Sequence, residues 1–179
     1  MKDLIKLLVR ENLLTEMGDS QVLPFEIAEQ HDHLMKGISI LDEIVYFFTI
    51  KNEKIFVQFK LERTRLDDEM TYFDYSIVFT LNGSYQKSND MSTLLPKMST
   101  IFSGILPSFI DVFNKQYATK KTSIGLVYFY GIGDDDKGED VTSNVETKRT
   151  KLYSYFFNKN TPPGFTSHQT GNTFYYAKN

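Results

Sequence analysis

The sequence predicts an α+β fold, a mixed and mostly antiparallel sheet covered by helices, and three observations carry that expectation. Residues 43–50, 54–62 and 71–81 are rich in Val, Ile, Phe and Tyr, which suit a pleated, half-buried surface. Residues 91–117 keep an apolar i, i+3, i+4 rhythm over several turns, as a long amphipathic helix does. An apolar run without alternation follows at 122–130, as expected of a strand inside the sheet with both faces covered.

The bulk numbers fit one domain spanning 1–179. A chain of 179 residues with 41% apolar and 15% aromatic content can fill a single core, and that composition excludes a disordered chain. A net charge of -3 and a pI near 5.6 give no basic footprint for a nucleic acid. The absence of cysteine excludes disulfides, thiolate metal sites and a cysteine nucleophile, and it suits a reducing, cytoplasmic setting. Lys2, Asp3, Lys6 and Arg10 interrupt the N-terminal leucines, so no signal peptide is expected there. No run approaches the roughly 20 apolar residues of a membrane helix; no membrane partner is expected.

Leu4, Leu7 and Leu8, with Ile5 beside them, form an apolar stripe at helical spacing. They predict a peripheral amphipathic helix over 2–14 that packs on its own domain or docks on a partner. Between 15 and 41 the pattern weakens around Gly18, Pro24 and Gly37, which predicts a loop with one short helix. Residues 43–50, 54–62 and 71–81 then form an antiparallel meander, with a tight turn at Lys51, Asn52 and Glu53. Ile55, Val57, Phe59 and Leu61 alternate with Lys54, Phe56, Gln58 and Lys60, so one sheet face is buried and the other mostly wet. Arg63, Arg65 and the acidic residues after them read as a charged hairpin connection over 61–70.

In the long helix, Asn89 or Asp90 is the expected cap. Pro96 is tolerable in a first turn, whereas Pro107 lies deep inside and predicts a kinked or divided helix with a bend near Leu106. Residues 131–143 carry Asp134, Asp135, Asp136, Glu139 and Asp140 and predict a polar loop. A second helix is expected over 144–158, with Leu152, Tyr155 and Phe156 facing inward. Thr161-Pro162-Pro163-Gly164 ends it, and 173–178 supplies a final strand. The expected order is α, β, β, β, α, β, α, β, a sheet covered mainly on one face.

Catalytic and metal motifs are sparse. His31-Asp32-His33 offers metal-ligand chemistry, but His168 is remote and no fourth ligand suggests itself, so a solvated loop is the better account. The run from Asp134 to Asp140 fails the EF-hand pattern, because Lys137 precedes Gly138 where Asp or Asn belongs. Gly131 and Gly133 lead into carboxylates that would repel a phosphate, and no nucleophile elbow is present. Tyr46, Phe47, Phe48, Phe56, Tyr72, Phe73 and Tyr75 could offer a stacking surface, but sheet packing explains them better. Neither cofactor nor metal is expected.

Two resemblances attach to the last third of the chain. Ser123-Ile124-Gly125-Leu126-Val127-Tyr128-Phe129-Tyr130, followed by Lys148-Arg149-Thr150-Lys151-Leu152-Tyr153 and a terminal strand, is similar to a group of uncharacterised tailed-phage proteins. The start Met1-Lys2-Asp3-Leu4-Ile5-Lys6-Leu7-Leu8 is also common in phage proteins. This resemblance implies an accessory or virion-associated protein, located in the host cytoplasm or the virion. The strand, the Leu152-Tyr153 helix, the Phe156-Phe157 pair and the final strand also resemble the closing half of a GNAT-type acyltransferase, in which Tyr153 would be the candidate general acid. Between Asn82 and Leu95 the chain departs from that family, because Gly83 stands alone where a glycine-rich loop should cradle the coenzyme A pyrophosphate.

The leading expectation is therefore a non-catalytic protein whose partner is another protein of the host or virion. Leu4, Leu7 and Leu8, an aromatic sheet edge, or Asp134, Asp135 and Asp136 would make the contact, the last as bait for a host enzyme. The alternative is a GNAT-like acyl-CoA-dependent acyltransferase with an atypical phosphate loop. A splayed pair of central parallel strands, with free backbone N–H groups before the Met91 helix, would favour the enzyme.

Overall fold

The computed structural model describes residues 22–67, 69–81, 91–130, 148–171 and 173–179. Four strands come first: β1 (Phe25–Met35), β2 (Ile38–Ile50), β3 (Glu53–Leu66) and β4 (Thr71–Leu81). Helix α1 (Met91–Ser99) passes through a π-helical segment (Thr100–Ile105) into α2 (Leu106–Gln116). Then come β5 (Thr122–Tyr130), α3 (Lys148–Lys159), β6 (Phe165–Thr170) and β7 (Thr173–Lys178). The strands form one sheet in the order β1-β2-β3-β4-β5-β7-β6. The β4–β5 pair is parallel, and every other neighbouring pair is antiparallel. The fold is thus α+β, with a mixed, mostly antiparallel sheet and a long helical element.

The structure corrects several expectations about individual elements. Most of the expected loop over 15–41 is strand, because β1 and the start of β2 form a hairpin through Lys36 and Gly37. Both turn residues have positive φ, 53° and 81°, the backbone pattern that matches strand twist in a two-residue hairpin. His31, Asp32 and His33 therefore lie on a strand and not in a loop. Arg63 and Arg65 belong to β3, and the connection to β4 is only the turn in which Asp67 and Met70 exchange backbone hydrogen bonds of 2.8 and 3.1 Å. A further strand, β6, precedes the expected last one. Pro96 is the sixth residue of α1, past the first turn. The expected helix over 2–14, the loop over 131–143 and residues 144–147 of the second helix lie outside the described residues.

Around the expected bend near Leu106 the helix continues, passing through the π-helical segment. Pro107 has no N–H to give to the preceding turn, and the Leu106 N–H reaches back to the Ile101 carbonyl, the five-residue step of a π-helix. Gly104 lies in this segment, and a Cβ there would come within 2.6 Å of Val22 and 2.9 Å of Phe25. The chain entering β1 thus crosses directly over the helix, and the Leu23 N–H donates to the Thr100 hydroxyl at 3.0 Å.

Alternation along the strands sends Tyr46, Phe48, Val57, Phe59, Phe73, Tyr75, Val127, Phe129, Phe174 and Tyr176 to one face, where all are buried. Helix α2 lies over the middle of this face. The Phe109 ring stacks on Phe59 at 4.1 Å and meets Tyr75 edge-on at 5.1 Å, while Phe113 meets Phe73 at 6.0 Å. Helix α3 covers β5 and β7, with Phe157 stacked on Tyr176 at 3.9 Å. Each buried ring of this kind contributes about 1.5–3 kcal/mol through removal from water.

Candidate functional site

The second face of the sheet has no described helix over it. Strand alternation delivers a mixture of rings and charges there, much of it half-exposed. Phe47 and Phe56 pair across β2 and β3 at 6.2 Å, with the Lys54 ammonium 5.3 Å from the Phe47 centroid. On β5, Tyr128 and Tyr130 meet at 5.7 Å, and Tyr130 is 62% exposed. Across β6 and β7, His168 stacks on Tyr175 at 5.2 Å.

At one end of this face, beside the turn that joins β3 to β4, is an ion pair. The Arg65 Nε and Nη2 groups donate to the two Asp74 carboxylate oxygens at 2.7 and 2.9 Å. Asp74 is buried although its face is open, because neighbouring side chains close over it. The pair keeps Arg65 protonated even more firmly than usual, through the Asp74 hydrogen bonds and against the opposing effect of burial. The guanidinium lies 5.6 Å from the Tyr72 centroid, a favourable position for a cation over a π face. Gly125 on β5 makes room for this arrangement: a Cβ there would come within 2.4 Å of the Arg65 Nη2 and 2.6 Å of the Asp74 Oδ1. Beside the pair, Ser76 donates to Glu62 at 2.8 Å.

An irregularity in β3 between Leu61 and Arg63 opens the strand beside an uncovered cleft of about 420 Å³, lined by Arg63, Thr64, Arg65, Leu66, Asp67 and Tyr72. Its lining carries two guanidinium groups, Arg63 and Arg65, and one carboxylate, Asp67, and the Arg65 charge is already met by Asp74, so the local charge nearly balances. Such a surface can hold a polar, uncharged or zwitterionic segment of a partner, with Leu66, 80% exposed, as an apolar lip.

A second feature lies at the other end of the parallel pair. Pairing between β4 and β5 runs from Thr71↔Thr122 to Ser76↔Tyr128 and stops. Yet β4 continues to Leu81 beside Ile55, and β5 continues to Tyr130 beside Thr173. On the helix side, beyond this pairing, Phe79 lies 6.5 Å from Phe129 and 6.3 Å from Tyr153.

The residues singled out from sequence scatter over this framework. Leu4, Leu7, Leu8, Asp134, Asp135 and Asp136 lie outside the described residues. Tyr153 is buried in the core, edge-on to Phe79, Phe129 and Phe174. His31 and His33 stand on β1 at one edge of the sheet, and His168 stands on β6 at the other. His33 Nδ1 is 2.6 Å from Asp42 and His31 Nε2 is 3.5 Å from Glu29; no group of three potential metal ligands occurs among the described residues. Of the seven clustered rings, Tyr46, Phe48, Phe73 and Tyr75 are core, while Phe47, Phe56 and Tyr72 belong to the open face. Sequence reasoning missed the Arg65–Asp74 pair. The signal was the placement of Arg63 and Arg65 against Tyr72 and Asp74 about the turn at Asp67 to Met70.

Comparisons of this chain with protein-family models, with curated proteins and with solved structures find no match. Among the described residues no helix is long and apolar enough to cross a membrane.

Proposed function

We propose that this chain is a non-catalytic protein-binding or structural accessory protein that receives its partner on the open face of the sheet. The observation that carries this reading is the division of the sheet. One face is packed with rings beneath the helices, and the other presents Phe47, Phe56, Tyr72, Tyr128, Tyr130 and Tyr175, with the Arg65–Asp74 pair beside Tyr72. Half-exposed aromatic side chains beside anchored arginine are the composition of interface centres. The resemblance to tailed-phage proteins implies that the partner belongs to the host cell or the virion. Capture by the immobilised protein tests the proposal. The double variant Phe56→Ser/Tyr128→Ser should lose the captured protein while melting within a few degrees of wild type, and undiminished capture would overturn the reading.

A second reading, an acyl-CoA-dependent acyltransferase, is supported by one specific observation. Strands β4 and β5 form a parallel pair in the middle of the sheet, and their described pairing ends at Ser76↔Tyr128, the place at which an extended ligand would enter between the strands. The lone Gly83 speaks against a phosphate cradle, and a shared fold does not by itself carry an activity. A thermal-shift titration with acetyl-CoA and coenzyme A separates the two readings, since a ligand that binds only the native state raises the melting temperature. A saturable rise would favour the enzyme, and a flat response at millimolar ligand leaves the binding protein.

A further inference from the structure

Strand β1 ends the sheet, so one row of its backbone N–H and C=O groups points away from β2. It is long for an edge, eleven residues from Phe25 to Met35, and all but the first are exposed. Proteins commonly protect such an edge with a short strand, proline or a covering element. Among the described residues no proline lies within β1 and no element covers its edge, although its pairing with β2 is irregular at Ile27/Glu29 and His31/Asp32 and it carries the charges of Glu26, Glu29 and Asp32. Ile27 is 45% exposed, Leu34 76% and Met35 38%.

The residue pattern of β1 fits itself. When a second β1 runs antiparallel about a two-fold axis at His31, Glu29 of each copy faces His33 of the other, and Gln30 faces Asp32. At either end Ile27 and Ala28 come against Leu34 and Met35. Acid therefore meets base, amide meets carboxylate and apolar meets apolar. Moving the axis to Gln30 sets Ile27 against His33 and Glu26 against Leu34; moving it to Asp32 sets two carboxylates face to face. The central groups also share a side of the sheet, because Glu29 and His31 are in register with Val45 and Glu43. His33 already holds Asp42 through Nδ1, which leaves Nε2 directed to an incoming carboxylate.

We propose that a second copy of this chain pairs with β1 along its free edge, joining two seven-stranded sheets into one continuous sheet across a two-fold axis at His31. A closed two-fold contact needs a self-complementary surface, and the backbone ladder supplies affinity while the facing side chains fix the register. This contact uses the sheet edge and leaves the open face available to a different partner.

The chain has no cysteine, so a single introduced thiol reports the pairing without interference. In the proposed register position 31 faces its own copy, and directly opposed residues of antiparallel strands lie within disulfide reach. Light scattering should give wild-type protein a mass of twice 20.8 kDa. The variant His31→Cys should cross-link with itself under mild oxidation much faster than Thr49→Cys, which puts an exposed thiol on β2. Leu34→Arg, at a position with little to lose in the monomer, should weaken dimerisation at least tenfold with unchanged melting. A monomeric wild type at hundreds of micromolar would overturn the proposal. So would a dimer in which His31→Cys cross-links no faster than Thr49→Cys, since association would then use another surface.

Discussion

The two faces of this sheet are made from alternate residues of the same strands, yet they are built on different physics. On the helix side Phe129 touches the rings of Phe79, Phe102, Tyr153, Phe157 and Phe174, at centroid distances from 4.8 to 6.5 Å. On the open side the half-exposed Phe56 meets the ring of Phe47 at 6.2 Å. The first face is held by close packing and tolerates no void. The second joins half-exposed rings with polar contacts such as Arg65–Asp74 and Ser76–Glu62 and tolerates exchange of its rings. Stability is concentrated on one side, and the capacity to meet a partner on the other.

The largest test of this contrast is to remove a ring from each face. Phe129→Ala should cost about 3–5 kcal/mol, because the five neighbouring rings cannot collapse into the space left behind. Phe56→Ala should cost less than about 1 kcal/mol, the range of substitutions away from packed sites. Urea unfolding of the two variants decides it, and equal losses would mean that the open face is packed as tightly as the core.

A smaller effect is expected at the ion pair of the open face. Arg65→Met leaves Asp74 buried without its partner and should cost about 1–3 kcal/mol, reduced by the partial exposure of the arginine. The double variant Arg65→Met/Asp74→Leu should regain most of that loss, since replacing both members of a buried pair removes the desolvation penalty as well. Gly125→Ala should resemble the single variant, because the added methyl overlaps both groups. If the double variant is no more stable than Arg65→Met, the pair is not what organises this face.

What could be read from the sequence follows the same division. Strands β2 to β5 have one buried face, and burial writes itself into the chain as alternation, as in Ile55, Val57 and Phe59, or as the apolar run of β5. The two strands that escaped recognition, β1 and β6, are the two edges of the sheet. Their residues, such as Glu29, Gln30 and Asp32 in β1 or Ser167, His168 and Gln169 in β6, answer to water, so hydrophobic periodicity is weak there. Turn chemistry was the remaining signal: Lys36-Gly37 and Gly171 mark both hairpins. The Arg65–Asp74 pair was hidden because residues 61–70 read as a charged connection, whereas Arg63 and Arg65 extend β3 and the ladder runs regularly back from the turn to Arg63↔Asp74.

The smallest effect separates three buried tyrosines within the helix-covered face. The Tyr75 hydroxyl donates to the Leu41 carbonyl at 2.8 Å and the Tyr176 hydroxyl to the Phe157 carbonyl at 2.7 Å, whereas the buried Tyr46 hydroxyl has no hydrogen bond of good geometry among the described residues. Tyr75→Phe and Tyr176→Phe should each cost about 1 kcal/mol, the net worth of one hydrogen bond, while Tyr46→Phe should be neutral or stabilising. The same burial makes an alkaline prediction. Desolvation raises the Tyr75 and Tyr176 phenols well above their ordinary value of 10.0. Above pH 10 the unfolded chain releases phenol protons that the native state retains, so the unfolded state binds fewer protons and stability falls as pH rises. The stability held by these groups is complete below that pH and decreases by about 1.4 kcal/mol per pH unit for each tyrosine above it. Denaturation followed from pH 9 to pH 11.5 should show this descent, shallower in Tyr75→Phe/Tyr176→Phe than in wild type. Equal slopes would mean that both phenols ionise in the native state as easily as in water, and that the helix-covered face is far less dry than its packing requires.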